Sequence, residues 1–240
     1  MAIDVLLIIA VTSFIQSLFG VGVLLFGTPL LLLVGYDFID AIIILLPISI
    51  IINLIQIAKD YRNVDFDLYK KILLYTIPLV VLFLFLVTQV RINISFLVGI
   101  FLVTVALKDY SKKVNTFIQS TLKHEKIYLG VMGIIHGMTN LGGSLLTAIV
   151  HNKDYKKQIT RVTIAISYAT FAVFQILTLL ISGYDLNIQF LGVGIYLLVG
   201  IGVFILTERL VYVELNNENY TKFFGLFLFI SGMMLVVKSI

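Results

Sequence analysis

The feature that most constrains this chain is a stretch of about 32 residues, 5–36, without a charged side chain. A helix that crosses the ~30 Å hydrocarbon core of a bilayer needs about 20 apolar residues. The stretch is therefore too long for one upright crossing and too short for two. The rest of the chain is similar, because 60% of all residues are hydrophobic and only 12% are charged, against about 25% charged in a soluble domain. We therefore expect an integral membrane protein.

Helices are the expected spanning elements. A transmembrane barrel would alternate apolar and polar residues in strands of ~10 residues, whereas runs such as 42–52 and 79–87 do not alternate. A net charge of +4 is too small for a nucleic-acid-binding protein. The chain has no cysteine, which excludes disulfides and thiolate metal sites. Its first residues lack the basic region of a cleaved signal peptide, so we expect none.

Six apolar segments have the composition of plain transmembrane helices: residues 41–58, 72–90, 92–107, 162–182, 188–206 and 223–237. Two stretches are irregular. Residues 5–36 have the wrong length. The second, 127–150, contains a set of helix-weakening residues: Gly137, Asn140, Gly142 and Gly143. Because glycine is permissive at turns and weakens a helix interior, we interpret each irregular stretch as two half-helices that meet at a break.

The two irregular stretches also resemble each other. Residues 13–22 align without a gap on residues 133–142, at an offset of 120 residues, half the chain. The identities are few, among them Ile15 with Ile135 and Gly22 with Gly142. Each break is followed by three plain segments, so the chain is interpreted as a duplication with units 1–120 and 121–240.

The distribution of Lys and Arg predicts the topology, because these residues accumulate in cytoplasmic loops. If every segment crosses, the two sides receive 10 and 7 positive residues. If residues 127–150 instead enter and return on the same side, 15 of the 17 lie on one side, and only Arg91 and Lys238 lie on the other. The count therefore predicts a re-entrant hairpin at 127–150. Length and repeat symmetry predict another at 5–36.

The predicted fold is all-α and membrane-embedded, with two inverted repeats that each comprise a re-entrant broken-helix hairpin and three transmembrane helices. Inverted repeats of this kind are common in secondary transporters. Both termini are then outside a cell membrane. The alternative is eight plain transmembrane helices.

The breaks predict an anion site. A half-helix that starts at membrane depth presents unpaired N–H groups and a partial positive charge, and such starts are expected near Gly22 and Gly142. No Lys or Arg lies clearly inside a predicted crossing, so neutral donors would hold the anion. The candidate binding residues are Gln16, Ser17, Gly20, Gly22, Asn53, Gln56, His136, Thr139, Asn140, Gly142, Gly143, Ser144 and Gln175, with Thr28 close by.

Several candidates have a structural alternative. Asn53, Gln56 and Gln175 could instead tie helices together, and Ser167 and Thr170 are expected to bond back to their own helix. The two glycines at 142 and 143 are expected to serve the backbone as well as the substrate.

His136 is the candidate for proton coupling, since it is the one histidine inside a predicted hydrocarbon segment and intramembrane ionisable groups often relay protons. The alternative is a neutral ring bonded to a backbone carbonyl. Three scattered histidines without a carboxylate partner predict no metal site, and we expect no cofactor.

The residues around the breaks carry a family resemblance. Gly20-Val-Gly22 followed by Gly27-Thr-Pro29, a polar second helix, and His136-Gly-Met-Thr-Asn-Leu-Gly-Gly143 resemble the sulfite exporter TauE/SafE family. The resemblance implies a carrier of small sulfur-containing anions such as sulfite or organosulfonates. It also implies six motif positions: Gly20, Gly22, Pro29, Asn140, Gly142 and Gly143.

Two rival functions remain open at this point. An intramembrane hydrolase would use Ser144 with His136, although no Gly-x-Ser-x-Gly or His-Glu-x-x-His motif occurs. A scaffold would use its polar breaks only to pack helices. The expected partners are the lipid bilayer, a small anion, protons if His136 titrates, and no nucleic acid, in a monomer or homodimer.

Overall fold

A computed structural model describes residues 2–90, 93–107, 116, 120, 123–153, 155–184, 190–210 and 217–240. The predicted basic loop after residue 107 and the first two residues of the predicted segment 188–206 lie largely or wholly outside these ranges. Within them the chain is helical and contains no strand. The prediction of an all-helical fold is therefore confirmed for the described residues.

The helices follow the predicted order. They are α1 (Ile3–Phe19), α2 (Val23–Val34), α3 (Phe38–Asp60), α4 (Phe66–Tyr75), α5 (Ile77–Gln89), α6 (Ile94–Ala106), α7 (Glu125–Thr139), α8 (Gly143–His151), α9 (Lys157–Ile181), α10 (Phe190–Leu210) and α11 (Asn217–Ser239), with a 3-10 turn at Tyr61–Asn63. Helices thus occupy all six segments predicted as crossings. Among the described residues, Phe38–Asn63, Phe66–Gln89 and Lys157–Ile181 are long and apolar enough to cross a membrane.

Both predicted breaks are present, and each begins at a left-handed residue, the two lying 120 residues apart. α1 ends at Gly20 (φ 78°) and α7 ends at Asn140 (φ 61°), both left-handed. The N–H of Gly20 donates to the carbonyl of Gln16, and that of Asn140 to the carbonyl of His136, each at 2.8 Å. A left-handed residue is a common helix terminator, and glycine and asparagine adopt that conformation most readily.

The glycine two residues further on allows the backbone after each break to lie close to the preceding helix. A Cβ at Gly22 would lie 2.3 Å from the carbonyl oxygen of Thr12, and one at Gly142 would lie 2.8 Å from that of Met132. Both contacts fall on the residue ten positions earlier, in the helix that precedes the break. No side chain fits at either position unless the pair of helices separates.

Gly137 does not break α7, contrary to the prediction. It lies inside the helix, where a Cβ would approach the carbonyl oxygen of Val80 to 2.7 Å, and Gly133 has the same relation to Thr76 at 2.5 Å. The two glycines, one turn apart, therefore allow the backbone of α7 to lie directly on α5. Small residues have this function at many helix contacts in membranes.

Both ends of the pair α7–α8 lie at one end of the molecule, here named the basic end after Lys59, Lys71, Lys153 and Arg161. Glu125 begins α7, and its carboxylate lies 3.1 Å from the Lys71 amino group and 3.5 Å from that of Lys153, which follows α8. The ion pairs thus hold the start of α7 beside the end of α8.

Both ends of the pair α1–α2 lie at the opposite end. Burial and the nearby carboxylate of Asp4, at the start of α1, raise the pKa of Tyr36, which follows α2. Lys238, near the end of α11, donates to the carbonyls of Leu32 and Leu33 at 3.2 and 3.0 Å. A cleft of about 400 Å³ opens at this end, with a lining that includes Asp37, Asp40, Asn93 and Tyr184.

Asp65 fixes the loop between α3 and α4 to the start of α9. Its side chain accepts hydrogen bonds from the N–H groups of Asp67 and Leu68, which caps α4, and from the Tyr155 hydroxyl. Burial alone would raise the pKa of Asp65, but these hydrogen bonds outweigh it and hold the pKa below its usual value. The N–H of Asp65 in turn donates to the Thr163 hydroxyl at 3.0 Å.

Helices of the first half of the chain pack on helices of the second half. α3 packs on α9, and α6 packs on α11. α1 packs on α10 of the second half, while α7 packs on α5 of the first half. The helix that precedes each break therefore packs on a helix of the other half of the sequence.

Candidate functional site

Buried polar side chains cluster around the two breaks. A buried polar group without a hydrogen bond is costly, so such a cluster in an apolar chain needs a specific reason. The buried members near the breaks are Thr12, Ser13, Gln16, Ser17, Thr28, Ser49, Asn53, Gln56, His136, Thr139, Asn140, Ser167 and Gln175. Twelve of the thirteen predicted binding residues (all but Ser144, which is half-buried) are buried.

The first group of buried hydrogen bonds surrounds Gln16 in the last turn of α1. Gln16 Nε2 donates to Asn53 Oδ1 at 3.1 Å and to Gln56 Oε1 at 3.3 Å. Asn53 Nδ2 continues the chain to the Ser49 hydroxyl at 3.0 Å. Gln16 Oε1 accepts from the N–H of Val23, the first residue of α2, at 2.9 Å. The side chain of Gln16 thus bridges the first break and occupies an acceptor position at the start of α2.

The second group surrounds Asn140 and joins the two halves. Asn140 Nδ2 donates to the hydroxyl of Thr28, in α2, at 2.8 Å. Asn140 Oδ1 accepts from Gln175 Nε2, in α9, at 3.1 Å. The residue that ends α7 is therefore bonded to a helix of each repeat unit, across 112 residues of sequence in the case of Thr28.

His136 lies beside the second group in an aromatic pocket. Its ring centroid is 4.5 Å from that of Phe171 and 6.3 Å from that of Tyr168. The ring is fully buried, and neither of its nitrogens makes a hydrogen bond within the described part of the chain. The alternative of a ring held by a backbone carbonyl is therefore wrong for this conformation.

The start of α8 requires glycine. A Cβ at Gly143 would lie 1.3 Å from the Tyr168 hydroxyl, so that hydroxyl sits against the first residue of the half-helix. Ser144 Oγ donates to the carbonyl of Leu141 at 3.0 Å and does not contact His136 through a hydrogen bond in the described residues.

The remaining candidates make local or peripheral bonds. Thr139 bonds back to the carbonyl of Ile135 at 2.7 Å. Ser17 accepts from the Thr207 hydroxyl of α10 at 2.7 Å. The prediction that Ser167 and Thr170 bond back to their own helix is confirmed, at 2.7 and 2.8 Å.

Two charged residues near the first break, Arg161 and Glu208, were not among the predicted site residues, although Glu208 is buried. α9 begins at Lys157, five residues before the predicted segment, so Arg161 lies inside it. Arg161 Nη2 is 2.8 Å from Glu208 Oε1, and their side chains are only 16% and 7% exposed. Both residues stand one or two positions beyond a predicted apolar segment, which is the signal that could have identified them.

Several donors at the breaks have no acceptor. Among the described residues, the buried atoms without a hydrogen bond include the hydroxyl of Ser13, Gln56 Nε2, Arg161 Nε and both nitrogens of His136. Gln175 Oε1 beside them is an unpaired acceptor, and a neutral His136 offers one acceptor nitrogen. Most of these atoms can donate hydrogen bonds, which suits a ligand that is itself rich in acceptors, such as an oxyanion. The cleft at the opposite end carries two carboxylates instead and does not suit an anion.

Comparison with known proteins gave one finding. A family model described as "Sulfite exporter TauE/SafE" matches residues 5–235, which includes both breaks and every helix except the outermost residues of α1 and α11. No curated protein and no solved structure matches the chain.

Proposed function

Because the chain belongs to the sulfite exporter TauE/SafE family, we propose that it is a secondary transporter that moves a small sulfur-containing anion, of the sulfite or organosulfonate type, across the cytoplasmic membrane. The family membership confirms the resemblance drawn from the residues at the two breaks. Family and apolar helices together make it a membrane-embedded protein. The observation that carries the proposed substrate class is the set of buried, unpaired donors at the breaks.

The proposed topology is two inverted repeats, each with a re-entrant hairpin and three crossings. It is supported by the ion pairs of Glu125, which hold both ends of α7–α8 at the basic end. It is also supported at the opposite end, where Lys238 donates to the carbonyl of Leu32 near the end of α2, and where the Asp4 carboxylate at the start of α1 helps to raise the pKa of Tyr36. The hairpins then enter from opposite faces, the basic end is cytoplasmic, and both termini are outside.

In the proposed site the anion lies at the starts of α2 and α8. Gln16 Oε1 now holds the N–H of Val23, so it stands where an oxygen of the anion would bind. Rotation of that side chain would release the N–H group and turn Gln16 Nε2 towards the anion. A hydrogen bond to a charged group contributes about 1.5–3 kcal/mol, so three or four such donors replace a useful part of the lost hydration.

His136 is the proposed site of proton coupling. Its fully buried ring lies beside Gln175 and next to the residues of the second break. An imidazole that takes up a proton there would add a positive charge next to the anion, so anion and proton would bind together. Binding of one would then favour binding of the other by the same free energy.

The test is uptake into proteoliposomes of the purified protein with a panel of sulfite, sulfate, an organosulfonate and a carboxylate of similar size. We expect sulfite or the organosulfonate to enter and to compete with each other, and the carboxylate to be excluded. Failure to move any of these anions would reject the proposal. A transporter that requires protons would also acidify or alkalinise the lumen as the anion moves.

The hydrolase alternative lacks support in the geometry. Ser144 Oγ donates to a backbone carbonyl, and His136 lies against aromatic rings rather than against that hydroxyl. A serine-directed covalent probe is therefore expected to leave the protein unlabelled. A scaffold function would predict that substitutions at Asn140 change assembly without changing anion flux.

A further inference from the structure

Arg161 lies against the first break. A Cβ at Gly20 would lie 3.0 Å from Arg161 Cγ, so the stem of the arginine covers the left-handed residue of the turn. Its Nη2 is 3.3 Å from the carbonyl oxygen of Ser17, in the last turn of α1. A positive charge stabilises the carbonyl end of a helix. Arg161 therefore sits where α1 ends, at the side of the break that faces the basic end.

The two carboxylate oxygens of Glu208 form ion pairs with two different cations. Oε1 pairs with Arg161 at 2.8 Å, and Oε2 pairs with the amino group of Lys59. Lys59 is half exposed, with 53% of its side chain accessible, whereas Glu208 is buried. The three groups carry one surplus positive charge. Glu208 also keeps a partner if Arg161 leaves it, because Lys59 remains.

The guanidinium of Arg161 has a donor that makes no hydrogen bond. Its Nε is buried and has no hydrogen-bond partner among the described residues, while Nη2 alone serves both Ser17 and Glu208. A guanidinium presents five donors in a fork that matches two oxygens of one anion. The present contacts leave that fork without a bidentate partner.

We propose that Arg161 is an anion-binding residue at the basic end of the transport path, and that an incoming oxyanion displaces Glu208 from it. Glu208 is then the internal stand-in for the substrate, and Lys59 holds Glu208 while the anion occupies the guanidinium. This inference rests on the proposed anion transport. It extends the site of neutral donors at the two breaks by a fixed charge at the first of them.

A purely structural role makes a different prediction. A buried charge that loses its partner destabilises a protein. R161Q leaves Glu208 paired with Lys59, whereas E208Q leaves Arg161 without its carboxylate, so a structural role predicts that both variants are impaired and that E208Q is impaired at least as much as R161Q. In the proposed role the two variants have opposite effects on the anion. R161Q removes the binding group, and E208Q removes its competitor.

The experiment measures initial rates of sulfite uptake, or of whichever anion of the panel wild type moves best, in membrane vesicles of both orientations. For anion offered at the basic face, we expect R161Q to raise KM at least about tenfold and E208Q to lower it about threefold or more. R161K, which keeps the charge but not the fork, should fall between R161Q and wild type. K71Q removes another cation of the basic end from a peripheral ion pair and should leave KM unchanged.

The double variant R161Q/E208Q removes both buried charges, so it tests whether misfolding explains the effects of the single variants. We expect it to recover the abundance and thermal stability of wild type and to retain the high KM of R161Q. An unchanged KM in R161Q, a shift of the same sign in R161Q and E208Q, or a wild-type KM in the double variant would each overturn the inference while anion transport stands. A wild-type protein that moves no anion would reject the proposed function and this inference together.

Discussion

Asn140 is the residue at which backbone geometry and the candidate site can be separated by substitution. Its backbone is left-handed, with φ 61°, and its side chain makes the hydrogen bonds to Thr28 and Gln175. Asn140→Gly keeps a residue that adopts this backbone readily and removes both hydrogen bonds. Asn140→Ala removes the same hydrogen bonds and adds the strain of a Cβ in the left-handed region.

The two losses have different sizes. Hydrogen bonds between helices in membranes contribute about 0.6 kcal/mol on average and about 1–2 kcal/mol in favourable cases, so N140G should cost about 1–4 kcal/mol for two bonds. A left-handed alanine costs about 1–2 kcal/mol more. We therefore expect N140A to be less stable than N140G by that difference. Both variants should also lose anion transport by about tenfold or more. A loss of about 1.4 kcal/mol in the free energy of anion binding corresponds to this factor of ten.

Thermal unfolding of the detergent-solubilised protein measures the first effect, and initial rates of anion uptake in proteoliposomes measure the second. Thr28→Val is the matched partner variant, since it removes one of the two hydrogen bonds and keeps the shape of the side chain. Thr104→Val is its control, because Thr104 is exposed on α6 and bonds only to its own helix. Transport at the wild-type rate by folded N140G would refute the assignment of Asn140 to the anion site. Equal stability of N140G and N140A would refute the backbone argument.

Three further outcomes follow from the fold. Gly142→Ala should reduce the yield of monodisperse protein in size-exclusion chromatography, because its Cβ would come within 2.5 Å of a side chain of α7, whereas Gly130→Ala meets its nearest neighbour at 3.5 Å and should behave as wild type. Folding lowers the pKa of Asp65, so its ionised carboxylate stabilises the folded protein fully above its ordinary pKa of 3.8, and this stabilisation is lost as the pH falls further. Thermal unfolding of Asp65→Asn should therefore depend less on pH in that acidic range than unfolding of wild type. Single cysteines at Lys123 and Lys156, before and after α7–α8, should react with an impermeant thiol reagent from the same face, and reaction from opposite faces would exclude a re-entrant second hairpin.

The breaks could be predicted because they violate two simple rules of composition. Residues 5–36 have a length that fits neither one nor two crossings, and the second stretch concentrates helix-weakening residues around Asn140. The same reasoning failed at Gly137, since a glycine that terminates a helix and one that admits a neighbouring backbone have the same sequence pattern. Only the position of α5 against α7 distinguishes them.

The charged pair and the links between the halves depend on tertiary structure in the same way. Arg161 was assigned to a loop because the apolar segment starts at residue 162, yet hydrogen bonding extends α9 back to Lys157. The bond from Asn140 to Thr28 joins residues whose proximity no local pattern indicates. Polarity identified Asn140 and Thr28 as candidates, but only the packing of α2 beside the second break shows that their side chains are partners.

Each break begins at a left-handed residue, but the side chains around the two breaks differ, and this difference bears on how the anion would move. Gln16 and Gly20 in the first correspond to His136 and Asn140 in the second, at the offset of 120 residues. Arg161 lies on the first break, whereas the residue at its equivalent position in the first half is Ala41. In the proposed mechanism an anion would therefore meet a fixed charge at one face and neutral donors at the other. Such an asymmetry cannot drive net transport, because affinity alone leaves the equilibrium across the membrane unchanged. It makes the basic face saturate at lower anion concentration, so the energy for directed movement has to come from the anion gradient or from a coupled proton, for which His136 is the buried ionisable group that the second break provides.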